Sequence, residues 1–440
     1  MNDLAARAVE KFQSHQAVIG LIGLGYAGLP LCCCFAEAGF ETVGFDVDPA
    51  KIKALAAGHS YIEHIPAARI QGIVSSGALK ATTSFDQLAR CDAAIICVPT
   101  PLGEGKSPDL RHIVDTTVEI KQRLHPGQLV VLESTTYPGT TDEVVRGILD
   151  ETGLQPGKDY FLAFSPERED PANHAFHTGT IPKLVGGVTK DCLAVAAAAY
   201  GEVVKRVVPV SSARVAEASK LLENIYRCVN IAMVNELKVL FQKMGIDIWE
   251  VIDAAATKPF GFTPFYPGPG LGGHCIPIDP VYLTWKARQY DFPTRFIELA
   301  GEINGVMPTY VVDRLVQGLN LHGKPLKDSR ILLLGVAYKA DVDDVRESPS
   351  LRIIRILEER LANVSFHDPH VPILRSRHLT REMKSVPLTA EIIREADAVV
   401  VLTNHRNVDY EMLVKNARLV VDTRNVTAPW KDSDAPILQA

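Results

Sequence analysis

The sequence lacks several features that would indicate a membrane or secreted protein. No run of about 18 apolar residues occurs in its 440 residues, so we expect no membrane-spanning helix. The first residues carry mixed charge without an apolar core, so we expect no secretory signal. There are only eight cysteines, three of them consecutive at positions 32–34, which is not the spacing of a disulfide framework. The composition therefore favours a reduced, cytoplasmic setting.

An excess of positive charge is also missing. The formal net charge is −6, with 22% charged and 47% hydrophobic residues. Such a chain presents no general nucleic-acid or membrane surface, although it can hold local basic pockets. Its length is sufficient for two or three domains. We therefore expect a multidomain globular protein with no nucleic-acid or membrane partner.

A glycine-rich turn near the N-terminus follows an apolar strand, residues 17–22, and precedes an apolar helical run. Its G-x-G-x-x-G spacing lets backbone amides and a helix N-terminus hold a pyrophosphate. Other βαβ folds also contain such turns, but here the next strand ends in Asp46, about 20 residues further on. The predicted dinucleotide-binding residues are Gly23, Gly25, Tyr26, Ala27, Gly28 and Asp46.

The charge of Asp46 distinguishes between two dinucleotides. Its carboxylate would accept hydrogen bonds from the adenosine ribose and repel a 2′-phosphate, so NAD is favoured over NADP. Lys51 would flank the same ribose. Two later strands, 93–98 and 129–132, end in loops where a doubly wound sheet places its ligands.

A loop rich in proline and glycine, residues 266–280, contains the thiol of Cys275. Its composition excludes a helix and lets the backbone approach a ligand closely. A thiol is a strong nucleophile when the site favours its thiolate, although a packed loop with an inert cysteine has the same spacing. The neighbouring His274 has no second Cys or His at ligand spacing, so we predict no metal site.

A long helix is predicted over residues 211–244, where apolar residues recur at helical spacing. Its length suits a spine between domains. Lys220 and Asn224 are four residues apart and share one face. A solvated face is the usual place for such a lysine, but Asn224 and Asn235 both lower helix propensity and indicate an inward polar cluster.

The last third of the chain repeats the strand pattern of the first. The repeated strands are 330–335, 363–368, 396–402 and 417–424, which follow the order of 18–23, 42–46, 91–97 and 128–132. Lys339 and Arg346 follow the first repeated strand, in place of the glycine fingerprint. Two basic side chains there suit a diphosphate, and surface salt bridges are the alternative. The predicted fold class is α/β, with two Rossmann-like doubly wound domains joined by a long central helix and a helical middle domain.

Together these patterns resemble the UDP-glucose/GDP-mannose dehydrogenase family, the nucleotide-sugar 6-dehydrogenases. Segment 272–279, with the order Gly-Gly-x-Cys-x-Pro-x-Asp, resembles their active-site loop. Segment 217–224, with the order Glu-x-x-Lys-x-x-x-Asn, resembles their helix motif. The resemblance extends over nearly the whole chain. It implies an NAD-binding domain at 1–210, a central dimerisation domain with the cysteine loop at 211–310, and a UDP-sugar-binding domain at 311–440.

The resemblance also implies a reaction, the NAD-dependent four-electron oxidation of the C6 hydroxyl of a UDP-hexose. A cysteine would hold the aldehyde as a thiohemiacetal, a second hydride transfer would leave a thioester, and water would release the uronic acid. Lys220 and Asn224 would stabilise oxyanions, and Asp279 would act with Lys220 through a water as the base. Glu167 would position the hydrolytic water. The implied catalytic residues are Cys275, Lys220, Asn224, Asp279, Glu167 and Thr135.

Binding residues follow from the same resemblance. Besides the glycine turn, the implied cofactor contacts are Asp46, Lys51, Thr100, Thr135 and Arg346. As isolated threonines, the two threonines would be turn formers. The implied substrate contacts are Glu167, Arg168, Lys220, Asn224, Tyr266, Gly270, Gly273, Lys339 and Arg424. The family implies a homodimer or higher homo-oligomer through the central region.

The sequence departs from the UDP-glucose enzymes at three places. It has no arginine between Asp253 and Gly273, Ile278 in place of a lysine, and Pro171 in place of a second glutamate. It looks most like the UDP-N-acetylglucosamine 6-dehydrogenases of bacterial surface-polysaccharide pathways, with UDP-N-acetylmannosamine and UDP-glucose as alternative substrates. Two other functions stay open: a two-electron dehydrogenase in which Cys275 is incidental, and a catalytically idle NAD- or sugar-nucleotide-binding protein.

Overall fold

The computed structural model describes residues 1–62, 65–169, 176–273, 276–431 and 436–440. The predicted nucleophile Cys275 and its neighbour His274 lie outside the described residues. The chain folds into two compact units, Met1–Glu223 with Val281–Phe292, and Asn224–Pro280 with Pro293–Ala440.

The first unit contains a sheet built around the predicted dinucleotide turn. Its strands are β1 (Val18–Ile22), β2 (Glu41–Phe45), β3 (Leu79–Thr82), β4 (Ala93–Ile96), β5 (Leu129–Leu132), β6 (Phe161–Phe164), β7 (Lys183–Gly187) and β8 (Val207–Val210). In the described residues their order is β3-β2-β1-β4-β5-β6-β7-β8. The strands from β3 to β6 in this order are parallel, and β7 pairs antiparallel with β6. The first six positions are those of the doubly wound dinucleotide fold, so the predicted fold class is confirmed.

Helices cover both faces of this sheet, because its central strands are apolar on both sides. They are α1 (Asp3–Gln13), α2 (Gly28–Glu37), α3 (Pro49–Ala56), α4 (Ala67–Ser75), α5 (Arg111–Lys121), α6 (Arg146–Asp150) and α7 (Lys190–Gly201), with 3₁₀ turns at Phe85–Arg90 and Glu104–Lys106 and a π-helical turn at Thr140–Val145. In α2 nearly every residue is buried, which explains its unbroken apolar sequence.

The long helix α8 (Ala213–Met244) spans 32 residues, close to the predicted limits. Near its start, the buried Glu217 accepts hydrogen bonds from the amides of Gly139 (2.6 Å) and Thr141 (2.9 Å) and from the Thr141 hydroxyl (2.7 Å). Burial raises the pKa of Glu217 to about 7, although these donors act in the opposite direction. Glu217 of α8 therefore holds the start of the π-helical turn Thr140–Val145, which follows β5.

The second unit contains the repeated sheet. The remaining helices are α9 (Ile248–Ala256), α10 (Asp279–Arg288), α11 (Arg295–Leu321), α12 (Pro349–Glu359), α13 (Ala390–Glu395) and α14 (Tyr410–Asn416), with a 3₁₀ turn at Ala428–Trp430. The strands are β9 (Arg330–Leu334), β10 (Asn363–His367), β11 (Ile373–Leu374), β12 (Met383–Lys384), β13 (Ala398–Val401), β14 (Val420–Asp422) and β15 (Ile437–Gln439). The main sheet has the order β10-β9-β13-β14-β15, all parallel, and β11 pairs with β12. Helix α11 runs through position 310 and marks no domain limit there. The domain limits at 210 and 310 stay a prediction.

Asp368 follows β10 as Asp46 follows β2. Its Oδ2 accepts hydrogen bonds from the amides of Val336 (2.7 Å) and Ala337 (3.0 Å) and from Nε2 of the buried His405 (3.1 Å). Burial alone would raise the pKa of Asp368, but His405 and the two amides lower it to about 2. The carboxylate thus holds the turn after β9 closed.

We expect Asp368→Asn to lower the free energy of unfolding of the repeated sheet by about 2–4 kcal/mol, because buried donors lose their acceptor. The folded pKa, about 2, lies below the ordinary 3.8, so this contribution is present at neutral pH and is lost as the pH falls through about 2. Hydrogen exchange of β9 and β10 amides in the variant measures the loss. Asp313→Asn is the control, because this aspartate is exposed. Equal protection in both variants would contradict the assignment.

Candidate active site

The three glycines of the turn between β1 and α2 have different surroundings. A Cβ at Gly23, where φ is +94°, would lie 2.5 Å from the Cys97 carbonyl oxygen, and one at Gly28 would lie 1.9 Å from the Gly23 carbonyl oxygen. A Cβ at Gly25 would meet no atom of the described residues within 4 Å. The fold itself therefore requires Gly23 and Gly28, while Gly25 leaves open space for a ligand. This division is the one that a pyrophosphate turn needs, so the residues fit NAD.

Asp46 is fixed at the end of β2 beside this turn. One carboxylate oxygen accepts hydrogen bonds from the Leu24 amide (3.0 Å) and Lys51 Nζ (2.8 Å), and the other accepts from the Asp48 amide (3.0 Å). The acid and the lysine predicted to flank the ribose are thus brought together. They place a negative charge, neutralised on one side by Lys51, where an adenosine ribose would bind.

The remaining predicted cofactor contacts of the first unit lie at the ends of β4 and β5. Thr100 is buried and Thr135 is partly buried. The Ser134 hydroxyl donates to the Val98 carbonyl oxygen at 2.7 Å and ties the two loops together. The loops therefore present both threonines at the carboxyl edge of the sheet, as the sequence predicts.

A buried charged cluster, which the sequence analysis did not assign to the site, precedes Thr135. Glu133 is 1% exposed and pairs with Lys183 at 2.8 Å, and it accepts a hydrogen bond from the Tyr200 hydroxyl. Burial raises the pKa of Glu133, and Lys183 opposes this shift. The signal in the sequence is a carboxylate directly after the apolar run 129–132, which requires a partner in the interior.

Glu167 and Lys220 are also brought together in the first unit. Lys220 Nζ donates to the backbone carbonyl oxygen of Glu167 at 2.5 Å. The Glu169 amide donates to the Glu167 carboxylate, and Arg168 pairs with Glu223. The segment after β6 is therefore bound to helix α8 at the predicted catalytic lysine.

In the second unit, Asn224 donates its side-chain amide to the Asp279 carboxylate at 2.5 Å. Both side chains are buried. Asn224 lies one helical turn after Lys220 on α8, and Asp279 begins α10. Two residues predicted to act in catalysis, 55 positions apart in sequence, are thus in direct contact.

The glycines before Cys275 lie against the repeated sheet. A Cβ at Gly272 would lie 2.7 Å from Tyr338 Cβ, and one at Gly273 would lie 2.9 Å from the Tyr338 ring. The Gly273 amide donates to the Arg346 carbonyl oxygen at 3.1 Å. Tyr338, adjacent to the predicted ligand contact Lys339, was not among the predicted site residues. An aromatic residue three positions after the strand-end Gly335 was the available signal.

Arg424 lies beside the same loop. Its Nε donates to the Leu402 carbonyl oxygen at 2.8 Å, and a Cβ at Gly268 would lie 2.6 Å from its Nη1. Burial lowers the pKa of Arg424 to about 10, which leaves it charged at neutral pH. Gly270, two residues on, has φ +132°. A cation and a glycine backbone that approach this closely suit a diphosphate.

Two other predicted ligand contacts are held by neighbouring side chains. Arg346 forms a bidentate pair with Asp344, with distances of 3.0 and 2.6 Å. Tyr266 stacks on Trp249, with ring centroids 5.3 Å apart, and donates to Asp253 at 2.7 Å. These partners fix both side chains, and their contact with a ligand stays a prediction.

Among the described residues, Asp341, His370 and His405 form a group of the size that holds a metal ion. Both ring nitrogens of His405 are already hydrogen-bonded, to the Asp341 amide (3.0 Å) and to the Asp368 carboxylate (3.1 Å). Arg406 also places a cation 2.6 Å from the Asp341 carboxylate. We therefore assign this group a structural role in the repeated sheet.

Three family models match consecutive parts of the chain. The NAD binding domain of the UDP-glucose/GDP-mannose dehydrogenase family matches residues 17–204, its central domain matches 214–305, and its UDP binding domain matches 332–429. The chain belongs to the UDP-glucose/GDP-mannose dehydrogenase family. This result confirms the resemblance predicted from the sequence.

Individual relatives cover nearly the same length. The chain is 34% identical over 414 residues to the UDP-N-acetyl-D-mannosamine dehydrogenase of Pyrococcus horikoshii, covering 93% of this chain and 95% of the relative. It is 35% identical over 362 residues to the UDP-N-acetyl-D-glucosamine 6-dehydrogenase of Pseudomonas aeruginosa, covering 82% and 84%. A solved UDP-glucose dehydrogenase from Pyrobaculum islandicum is 27% identical, with a TM-score of 0.83 and coverage of 96% and 97%.

Membership of the UDP-glucose/GDP-mannose dehydrogenase family confirms two further predictions. The chain is an oxidoreductase, and its cofactor is NAD. In addition, residues 332–429 match the UDP binding domain of the family, as the resemblance implied for the C-terminal segment. No helix in the described part of the chain is long and apolar enough to cross a bilayer.

We expect Asp46→Asn to weaken NAD binding about tenfold, because a charge-assisted hydrogen bond to ribose is worth about 1.5–3 kcal/mol. Binding of NADP should strengthen, because Lys51, 2.8 Å from Asp46, would then meet the 2′-phosphate without an adjacent carboxylate. Titration of each reduced nucleotide by fluorescence measures both changes. Asp48→Asn, which alters only the cap of α3, is the matched control. An unchanged ratio of the two affinities would remove Asp46 from nucleotide selection.

Proposed function

We propose that this chain catalyses the NAD-dependent four-electron oxidation of the C6 hydroxyl of a UDP-N-acetylhexosamine to the uronic acid. UDP-N-acetyl-D-glucosamine is the favoured substrate, and the proposed setting is bacterial surface-polysaccharide biosynthesis. The observation that carries the proposal is the buried contact of Asn224 with Asp279, one helical turn after Lys220, in a chain of this family. The pair offers a carboxylate oriented by an amide, and Lys220 offers an ammonium group four residues earlier in the sequence; groups of these kinds move protons and stabilise an oxyanion.

Each of these side chains has a task in the proposal. NAD, when bound, accepts a hydride from C6 in each of the two oxidations. Asp279, oriented by the Asn224 amide at 2.5 Å, acts with Lys220 through a water to remove the hydroxyl proton. Lys220 then stabilises the developing negative charge on the C6 oxygen, and its own position is fixed by the Glu167 carbonyl oxygen at 2.5 Å.

In the proposed reaction, the thiol of Cys275 makes the second oxidation possible. The sulfur adds to the C6 aldehyde to form a thiohemiacetal, loss of a second hydride and a proton leaves a thioester, and water cleaves the C–S bond. The products are the carboxylate, the free thiol and one proton. Glu167 orients the water. A covalent thiol is useful here because it retains the aldehyde between two oxidations.

The identity of the sugar is the finer part of the proposal. Relatives named for the mannosamine and glucosamine substrates are 34% and 35% identical, whereas the UDP-glucose dehydrogenase structure is 27% identical. Segment 253–273 also contains no arginine, which leaves an apolar environment for an acetamido group. UDP-N-acetyl-D-mannosamine is the second candidate, because relatives named for it cover 93% of the chain.

A panel of UDP-sugars tests both parts of the proposal. We expect two NADH per UDP-N-acetyl-D-glucosamine consumed and the uronic acid by mass spectrometry. Cys275→Ala should form no acid while both ligands still bind, and Cys34→Ala is the control for loss of a thiol. One NADH per sugar would identify a two-electron dehydrogenase. Binding of both ligands without NADH would identify an idle binding protein.

We also propose a homodimer or higher homo-oligomer through helix α8. Its exposed large apolar residues are Val215 (42% exposed), Leu222 (67%), Tyr226 (50%), Met233 (45%), Leu240 (48%) and Met244 (58%). Their spacings of four and seven residues place them on one stripe of the helix. Exposed stripes of this size mark interfaces between proteins.

We expect Met233→Asp combined with Leu240→Asp to convert the oligomer to a monomer, because each charge would have to be buried unpaired. Light scattering after gel filtration measures the mass. Leu321→Asp is the matched control, since this leucine is 76% exposed at the end of α11. A wild-type monomer, or a variant that keeps the wild-type mass, would contradict the interface.

A further inference from the structure

A small cavity lies where the glycine turn meets the segment after β6. Its volume is about 10 Å³, which is the room of a single water molecule. The residues that matter for its chemistry are Ala27, Glu133, Glu167, Glu169, Thr178 and Lys183. Ala27 belongs to the NAD-binding turn, and Glu167 is the residue proposed to orient the hydrolytic water. The cavity therefore joins a second carboxyl group, that of Glu169, to the proposed site.

Glu169 is held in place by two hydrogen bonds. The Thr178 hydroxyl donates to its carboxylate at 2.6 Å. Its own backbone amide donates to the Glu167 carboxylate. The two glutamates thus line the same cavity together with Thr178 and Lys183, so polar partners for an ordered water are near it.

In the described part of the chain, the two cations that act on Glu169 each form an ion pair with another carboxylate. Lys183 pairs with Glu133 at 2.8 Å, and Arg69 pairs with Glu37 at 2.6 Å. Burial raises the pKa of Glu169 to about 7, the Thr178 hydroxyl lowers it, and the charge of Glu167 raises it. Among residues 1–62, 65–169 and 176–273, the titratable and charged groups around Glu169 are Glu133, Glu167, Arg168, Lys183, Arg69, Cys33 and Cys34.

We propose that Glu169 is a positioning residue that receives, through a water in this cavity, the proton that Glu167 removes from the hydrolytic water. The inference rests on the proposed function and extends it. In that step the C–O bond forms, the C–S bond breaks, and the sulfur leaves with its electron pair. One proton of the attacking water goes to the sulfur, and the other passes from Glu167 to Glu169. Glu169 then releases it to solvent, because its affinity for a proton is balanced near neutral pH.

Glu169→Gln tests the proposal in the full-length enzyme with UDP-N-acetyl-D-glucosamine and NAD. Both NADH of the first turnover should form at the wild-type rate, because the oxidations do not use Glu169. The acyl-enzyme should then accumulate in quenched samples analysed by mass spectrometry, and kcat should fall about tenfold or more with little change in KM. The wild-type kcat should decline as the pH falls through about 7, and this limb should be absent in the variant.

Three further variants make the result specific. Glu169→Asp should restore part of the rate, because it keeps the carboxyl group. Thr178→Val should move the acidic limb to higher pH, because the hydroxyl that lowers the pKa of Glu169 is lost. Glu151→Gln is the control, as its carboxylate is exposed. If Glu169→Gln does not fold, the shift of the acidic limb of the pH profile in Thr178→Val tests the role of Glu169 instead.

The possible outcomes distinguish a failure of the role of Glu169 from a failure of the proposed function. A wild-type enzyme that forms the acyl-enzyme, with wild-type hydrolysis and pH profile in Glu169→Gln, overturns the role of Glu169 alone. A pH limb unmoved by Thr178→Val also overturns it. A wild type that releases one NADH and forms no acyl-enzyme overturns the proposed function and this inference together.

Discussion

The two Rossmann-like domains depend on one constraint, the need to satisfy the backbone amides of the turn after the first strand. Each buried amide must find an acceptor, and a carboxylate at the end of the second strand supplies it. Asp46 accepts from Leu24, and Asp368 accepts from Val336 and Ala337. The common position of these acids explains how two copies of one fold keep the same turn after their glycine patterns have diverged.

The difference between the copies follows from what else each carboxylate contacts. Asp46 is accompanied by Lys51 and by the open space at Gly25, so ligand hydroxyls can reach it. Asp368 instead accepts a hydrogen bond from the fully buried His405. The second copy is therefore closed to a dinucleotide at this point. Its basic side chains lie instead in the loops of the repeated sheet, which agrees with the match of this segment to a UDP binding domain.

Local patterns predicted the fold well because parallel strands are apolar and their loops contain glycine. The strand predicted at 129–132 agrees with β5 to the residue. Strands β7 and β8 were not predicted, since β8 lies at the edge of the sheet and contains Pro209. In the site, Asn224 and Asp279 were each assigned through a separate motif, but their direct contact was not predicted. Glu133 and Lys183 are 50 residues apart and meet only through tertiary packing, so no periodicity of the sequence predicts their pairing.

The choice of sugar follows a different logic from the choice of fold and cofactor. The glycine turn suits NAD and the basic loops of the repeated sheet suit a diphosphate, so neither distinguishes one UDP-hexosamine from another. Glucosamine and mannosamine differ only in configuration at C2, so an enzyme tells them apart by its differential binding of that one centre. The side chains around C2 must supply it. Segment 253–273 carries no arginine in this chain, and under the proposed function it is the first place to vary in a test of hexosamine preference.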